Sequence, residues 1–502
     1  MLAVDGRTLT LESFASVVRE GERASLSEDA RERIRRGREV VETALARGEA
    51  IYGLNTGFGD LANVRIPEDK LLDLQERLIL SHAAGVGEPL SEEVVRGMLL
   101  LRANTLARGH SGVRTELVEA LLELLNAEVH PVIPARGSVG ASGDLAPLAH
   151  LALPLLGRGE VWIQGETRPA PEGLRNAGLE PLILRPKEGL ALINGTQAMT
   201  SILALACLDG RRIVRQADLV GALSTDALRG TDAAFDSRIH RLRPHPGQQA
   251  SAENLWNLLQ GSEIRESHRT GDIRVQDPYC LRCMPQVHGA ARDVLGDVAE
   301  KVVVEMNAVT DNPLVFPEGD LISGGNFHGE PMALAADSLA VALAEIGSIS
   351  ERRLEKLTNE AFSGLPPFLA PDAGVNSGFM IAQVTAASLV SENKILAHPA
   401  AVDSIPTSAD KEDHVSMGMT GALKLERIVD HVQKILAIEM LAAAQGIDLL
   451  RPLRSSEPLE ALHTEIRSRV PVWEEDRQMG PDLRTAEELL RSGLEEQWTD
   501  LT

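Results

Sequence analysis

Cysteine is nearly missing from this chain: Cys207, Cys280 and Cys283 are the only three in 502 residues. That is too few for a disulfide framework and fits a reducing compartment. Aromatic side chains are as scarce, at 3% with two tyrosines, so the core has to be built from Ala, Leu, Val and Ile, a diet that suits close-packed helices. Positive charge is in deficit. With 50 Lys and Arg against 73 Asp and Glu the formal net charge is −23, which argues against nucleic acid or an anionic membrane as a partner. No stretch approaches the charge-free length of a membrane span, and Met1 to Arg7 lacks the basic-then-apolar pattern of a signal peptide. The expectation is a cytoplasmic chain with no membrane partner.

What is there is mostly helical pattern. Leu339, Leu343, Ile346 and Ile349 recur at helical spacing, as do Leu425, Ile428, Val432 and Ile435, both in Ala-rich surroundings. Residues 1–10 read as a short hairpin turning at Asp5-Gly6. Ser25-Leu26-Ser27-Glu28 has the spacing of a capping box ahead of a charged helix ending near Gly48. Val161-Trp162-Ile163 with the Gln164-Gly165 turn suggests a small hairpin. The segment from about 456 onward is acidic and amphipathic, a solvated helix face. Non-periodic interruptions near 262–285, 310–330, 361–376 and 399–413 carry the polar residues.

One interruption organises the rest: Gly137-Ser138-Val139-Gly140-Ala141-Ser142-Gly143-Asp144-Leu145. Its glycines describe a tight turn that enters a helix at Asp144. If the turn brings the Gly143 nitrogen onto the Ala141 carbonyl, a five-membered ring can close, and Ser142 can lose its hydroxyl as water. The product is a methylidene-imidazolone, a strong electrophile. A nucleophile elbow fails because Gly-x-Ser-x-Gly is not kept, and a phosphate loop fails because no Lys follows. A flexible linker remains the bland alternative.

Both tyrosines, Tyr52 in Ile51-Tyr52-Gly53-Leu54-Asn55-Thr56-Gly57-Phe58-Gly59 and Tyr279 in Gln276-Asp277-Pro278-Tyr279-Cys280-Leu281-Arg282-Cys283, lie in irregular stretches, which favours hydroxyls at a site over core packing. Cys280-x-x-Cys283 lacks the two further ligands zinc needs and the βαβ context of a redox motif. Buried thiols are the better reading, and no metal is expected.

The string Gly-Ser-x-Gly-Ala-Ser-Gly-Asp-Leu-Ala-Pro-Leu closely resembles the signature of the aromatic amino acid ammonia-lyases. The likeness continues through the Tyr279 stretch, Thr310-Asp311-Asn312-Pro313-Leu314, Gly324-Gly325-Asn326-Phe327-His328-Gly329-Glu330, and Ser404 to Gly418. It implies a mainly α fold: a smaller mixed α/β part over 1–200 with the Gly-rich loops, and a long helical bundle over 201–502. It also implies a homotetramer whose active sites draw on three subunits, and no external cofactor, the electrophile being made from Ala141, Ser142 and Gly143. Carried over by position, Tyr52 is the base for the β-proton, and Tyr279 and Gln276 orient substrate and prosthetic group. Asn194 lies beside that group, and Arg282 grips the carboxylate. His82, Met380 and Glu412 surround an imidazole that Phe327 borders. A His and a Glu can exchange hydrogen bonds with imidazole nitrogens, where a phenyl ring would leave them unpaired, so the expected reaction is loss of ammonia from L-histidine to give trans-urocanate, the first step of histidine degradation. The alternatives are a tyrosine or phenylalanine lyase or aminomutase, and a catalytically dead helical oligomer. Four positions depart from the family pattern: Asp410-Lys411 for Asn-Gln, Cys280 for Ser and Met284 for Gln. Lys411 could pair with Glu412.

Overall fold

A computed structural model of the protein describes residues 1–47, 53–57, 64–272 and 274–497. Helices dominate, and the strands are short pieces in sheets of two or three. The chain divides into two compact units. The first comprises Met1–Leu205, Ala299–Asp337 and Pro399–Leu423; the second comprises Ala206–Val298, Ser338–His398 and Lys424–Thr502.

The first unit opens differently from the hairpin its sequence suggested. Leu2–Val4 pairs in parallel with Ala24–Leu26. The Asp5 carboxylate accepts the Arg7 and Thr8 N–H groups, and Gly6 N–H, at φ +76°, donates to Asn104. This turn sends the chain into the helix Leu11–Val18, and a strand reached through a helix returns parallel. The capping box is also displaced. Ser25 lies in the second strand opposite Ala3, and it is the Ser27 hydroxyl that accepts Ala30 N–H at 3.2 Å ahead of the helix Glu28–Arg47. The hairpin Glu160–Ile163/Glu166–Pro169 forms as read. At the centre of this unit runs the helix Glu92–Ala107, buried without interruption from Val94 to Ala107, each large apolar side chain contributing about 1.5–3 kcal/mol over exposure.

In the second unit Leu339, Leu343 and Ile346 on the helix Glu330–Thr358, and Leu425, Ile428, Val432 and Ile435 on the helix Gly418–Leu449, are all fully buried. Gly347 lets these helices approach, since a Cβ there would already meet Ile435 and Val432 at 3.2 Å. Glu330–Thr358 corrects the reading of the hydropathy: it is long and apolar enough to cross a membrane, but 67% of its most apolar window is buried, as in a core helix. Ion pairs also enter this core. Arg353 and Glu439 are wholly buried and bonded at 2.6 Å, and Asp218 meets Arg292 at 2.6 Å and His288 at 2.7 Å. The terminal helices Glu457–Arg469 and Met479–Arg491 bury Leu459, Leu462, Ile466, Leu489 and Leu490 and turn their charges outward, as their amphipathic pattern predicts.

Candidate active site

The Gly-rich stretch is sewn down by its own polar atoms. Ser138 Oγ donates to Asp144 Oδ1 at 2.8 Å and accepts Gly140 N–H at 3.1 Å. Gly140, at φ +66°, offers its carbonyl to Ser416 Oγ at 2.8 Å and to Gly329 N–H at 3.2 Å. A Cβ on Gly140 would lie 2.2 Å from Ser416 Oγ, so no larger residue fits. Behind the stretch, Ala141 packs with Ala400, Val415 and Met417.

Gly143, at φ +73°, bridges to Gly195, whose carbonyl accepts Asp144 N–H at 2.7 Å. A side chain at 143 would fall 2.1 Å from that oxygen. The tripeptide Ala141-Ser142-Gly143 therefore fits the backbone-derived electrophile its sequence suggests: a residue with no side chain at the nitrogen, a small one at the carbonyl, and the serine between them held at both of its oxygens. Asn194 Nδ2 donates to the Ser142 carbonyl at 2.9 Å, and Ser142 Oγ donates to Glu412 Oε1 at 2.6 Å.

Each partner is held in turn. Asp144 precedes the helix Leu145–Ala152 but makes no side-chain bond to it. Its carboxylate accepts Ala198 and Met199 N–H, both at 3.0 Å, capping the helix Gln197–Ala227 instead. Burial pushes Asp144 up to about 6 against the pull of those bonds. Arg102, wholly buried, donates to Asn194 O at 3.1 Å, to Gln197 Oε1 at 2.8 Å and to Ala191 O, fixing the turn that carries Asn194. Burial brings the Arg102 guanidinium down to about 10, so it stays a cation.

His82 closes the helix Leu71–His82 with Nδ1 2.8 Å from the Leu78 carbonyl. A carbonyl only accepts, so Nδ1 donates there, and in the neutral ring Nε2 is the acceptor. Glu412 is fixed by a hairpin closure: Thr407 and Glu412 exchange backbone hydrogen bonds, and Thr407 Oγ1 donates to Glu412 Oε2 at 2.7 Å. The pairing expected between Lys411 and Glu412 is not found among the described residues. Lys411 is exposed, and Ser142 and Thr407 take both Glu412 oxygens.

His82, Ser142, Asn194, Phe327 and Glu412 line one cavity of about 800 Å³ in the first unit. Gln276, Tyr279, Arg282 and Met380 belong to the second unit and are not among its lining. Tyr279 is 69% exposed, and Arg282 lies over its ring at 4.6 Å and donates to the Asp277 carbonyl. Tyr52 lies outside the described residues. Cys280 is buried, and burial pushes its thiol up, the state of an inert cysteine.

Several lining residues had been given no role: Leu74, Arg77, Leu78 and Ser81 share a helix face with His82, and Ser408 and Asn312 come from loops that carry the family likeness. Counting back from His82 in steps of four would have found Leu78 and Leu74. Nothing in the sequence marked Arg102, and Thr407 lay in the Ser404–Gly418 stretch without a role of its own.

The aromatic amino acid lyase family matches this chain over residues 9–468. A relative named histidine ammonia-lyase, from Anaeromyxobacter sp. (strain K), is 55% identical over 501 residues, covering 98% of this chain and 99% of the relative. The crystal structure of histidine ammonia-lyase from Trypanosoma cruzi superposes with a TM-score of 0.92 at 47% identity, covering 100% of this chain and 94% of that one. A tyrosine aminomutase from Streptomyces globisporus superposes at 0.93 with 37% identity, covering 99% and 98%.

Proposed function

This chain belongs to the aromatic amino acid lyase family and is a carbon–nitrogen lyase, and on that premise we propose that it removes ammonia from L-histidine to leave trans-urocanate, opening histidine degradation in the cytoplasm. The observation that carries this reading is that both oxygens of Ser142 are engaged, by Asn194 and by Glu412, in the cavity that also holds His82 and Phe327. Closed and dehydrated as a methylidene-imidazolone, the tripeptide supplies an electrophile that captures the substrate amine and makes it a good leaving group, with no external cofactor.

The other residues bind, orient and move protons. With the substrate ring protonated, His82 Nε2 accepts one imidazolium N–H and the Glu412 carboxylate accepts the other. A phenyl ring would leave both unpaired at about 1–3 kcal/mol each. Phe327 and Met380 border the ring. The Arg282 guanidinium matches the substrate carboxylate as a fork, Gln276 and Tyr279 orient the amine end, and Tyr52 takes the β-proton. Gln276, Tyr279, Arg282 and Met380 come to the site from neighbouring copies in a homotetramer, as the family resemblance implies. Exposed apolar side chains on the second unit's helices, Val341, Ile381, Val384 and Ile395, support such an assembly.

The test is purified protein mixed with L-histidine, L-tyrosine or L-phenylalanine, followed in the ultraviolet and by product analysis. Urocanate from histidine alone is expected. Cinnamate, coumarate or a β-amino acid as main product would move the reading to a sister lyase or aminomutase. Intact mass should show the chain two waters lighter than its sequence. A mass equal to the sequence, with no turnover, would leave a helical binding protein.

A further inference from the structure

We propose that Glu412 acts once before any substrate arrives: its carboxylate is the proton carrier that dehydrates Ser142 as the prosthetic group forms. This rests on the reading that the tripeptide matures into an electrophile, and it assigns the chemistry of one of the two waters lost.

Among the described residues, Ser142 Oγ has one side-chain partner, Glu412 Oε1 at 2.6 Å. The carboxylate therefore touches the atom that must leave. It cannot turn away freely, because Thr407 Oγ1 holds Oε2 at 2.7 Å and the Thr407–Glu412 backbone pair fixes its Cα. The loop between them is held in an unfavourable conformation: Ser408, Ala409 and Asp410 have φ of +49°, +54° and +63° in succession. Left-handed backbone is unfavourable at each such non-glycine residue, and strain of this kind persists where the surroundings over-determine a position. Here it aims Glu412 at Ser142. Lys411, the adjacent cation, is exposed and unpaired with Glu412, so the carboxylate is not neutralised from its own loop.

The step balances within the chain. The Cα–H and Cβ–Oγ bonds of Ser142 break and a Cα–Cβ double bond forms. The Cα proton passes to the Glu412 carboxylate and from it to the departing Oγ, which leaves as water with its own hydrogen, and the carboxylate ends as it began. Negative charge developing beside Cα spreads onto the Ser142 carbonyl, where the Asn194 amide already donates at 2.9 Å.

The experiment is cell-free synthesis of the full chain, sampled over time by intact mass. The parent should end two waters lighter. Glu412→Gln should keep at least the Ser142 water, or lose the second about tenfold or more slowly, while circular dichroism and size-exclusion match the parent. Loss of both waters by Glu412→Gln at the parental rate overturns the proposal. A parent that loses no water overturns the maturation reading itself, a separate outcome. Should Glu412→Gln not fold, Thr407→Val carries the test, since it keeps the carboxylate but frees it to rotate: a slower second loss supports the role, and a parental rate overturns it.

Discussion

Asp144 in the first unit and Asp218 in the second are both wholly buried aspartates, and they titrate in opposite directions. Asp144 has only neutral donors, the Ala198 and Met199 amides and the Ser138 hydroxyl, and burial pushes it up to about 6. Burial would raise Asp218 too, but Arg292 beside it and the bonds from His288 and Ser251 bring it down to about 2. Asp144 places backbone at a site, whereas Asp218, paired with Arg292 and His288, ties two helices together. Substitutions in the first should cost chemistry, and in the second stability.

The sharpest form of that contrast is Ser142→Ala, which should abolish turnover and the loss of water while the urea midpoint stays at the parental value. Substantial turnover would break the comparison at its first term. The counterpart is Arg353→Met, which leaves the buried Glu439 without its cation and should cost about 3–5 kcal/mol, read as a lower urea midpoint. An unchanged midpoint would show that the second unit's ion pairs are dispensable. Next, His82→Leu should lower kcat/KM for histidine by about tenfold to a hundredfold, the worth of one buried hydrogen bond, without a change in midpoint. Equal loss on phenylalanine would remove His82 from ring recognition.

The smallest effects lie in pH dependence, and their signs differ. Asp218, depressed when folded, contributes stability that is present above its ordinary value near 3.9 and lost as pH falls toward about 2. Asp144, raised when folded, contributes stability that is present below its ordinary value and lost as pH rises through about 6. Urea midpoints between those limits should therefore show Asp218→Asn flattening the acid limb and Asp144→Asn flattening the limb nearer neutrality. The same limb flattened by both would contradict the distinction between their partners.

Much was legible in the sequence because it depends on local chemistry. Helical period placed Leu339 to Ile349 and Leu425 to Ile435 in the core, and glycines marked the turns at 140 and 143, where the folded chain leaves no room for a Cβ. Other features were not, because they are decided by residues far away in the chain. Asp144 looked like the cap of its own helix and caps another more than fifty residues on. Asp5-Gly6 looked like a hairpin turn, but Asn104 takes the Gly6 amide and the strand is repaid in parallel after a helix. Lys411 stood next to Glu412 in sequence, yet Ser142 and Thr407 won both carboxylate oxygens.

By itself the sequence determined the helical character of the chain and the Gly-rich turns around Ala141-Ser142-Gly143, since residue type, spacing and backbone freedom settle these locally, while the side chains proposed to meet an imidazole were read from the family resemblance. Only tertiary structure decided which polar group meets which. A buried hydrogen bond is worth having only where geometry delivers its partner, and that delivery came from Arg102 under Asn194, from Gly195 against Gly143, and from a strained loop holding Glu412 on Ser142.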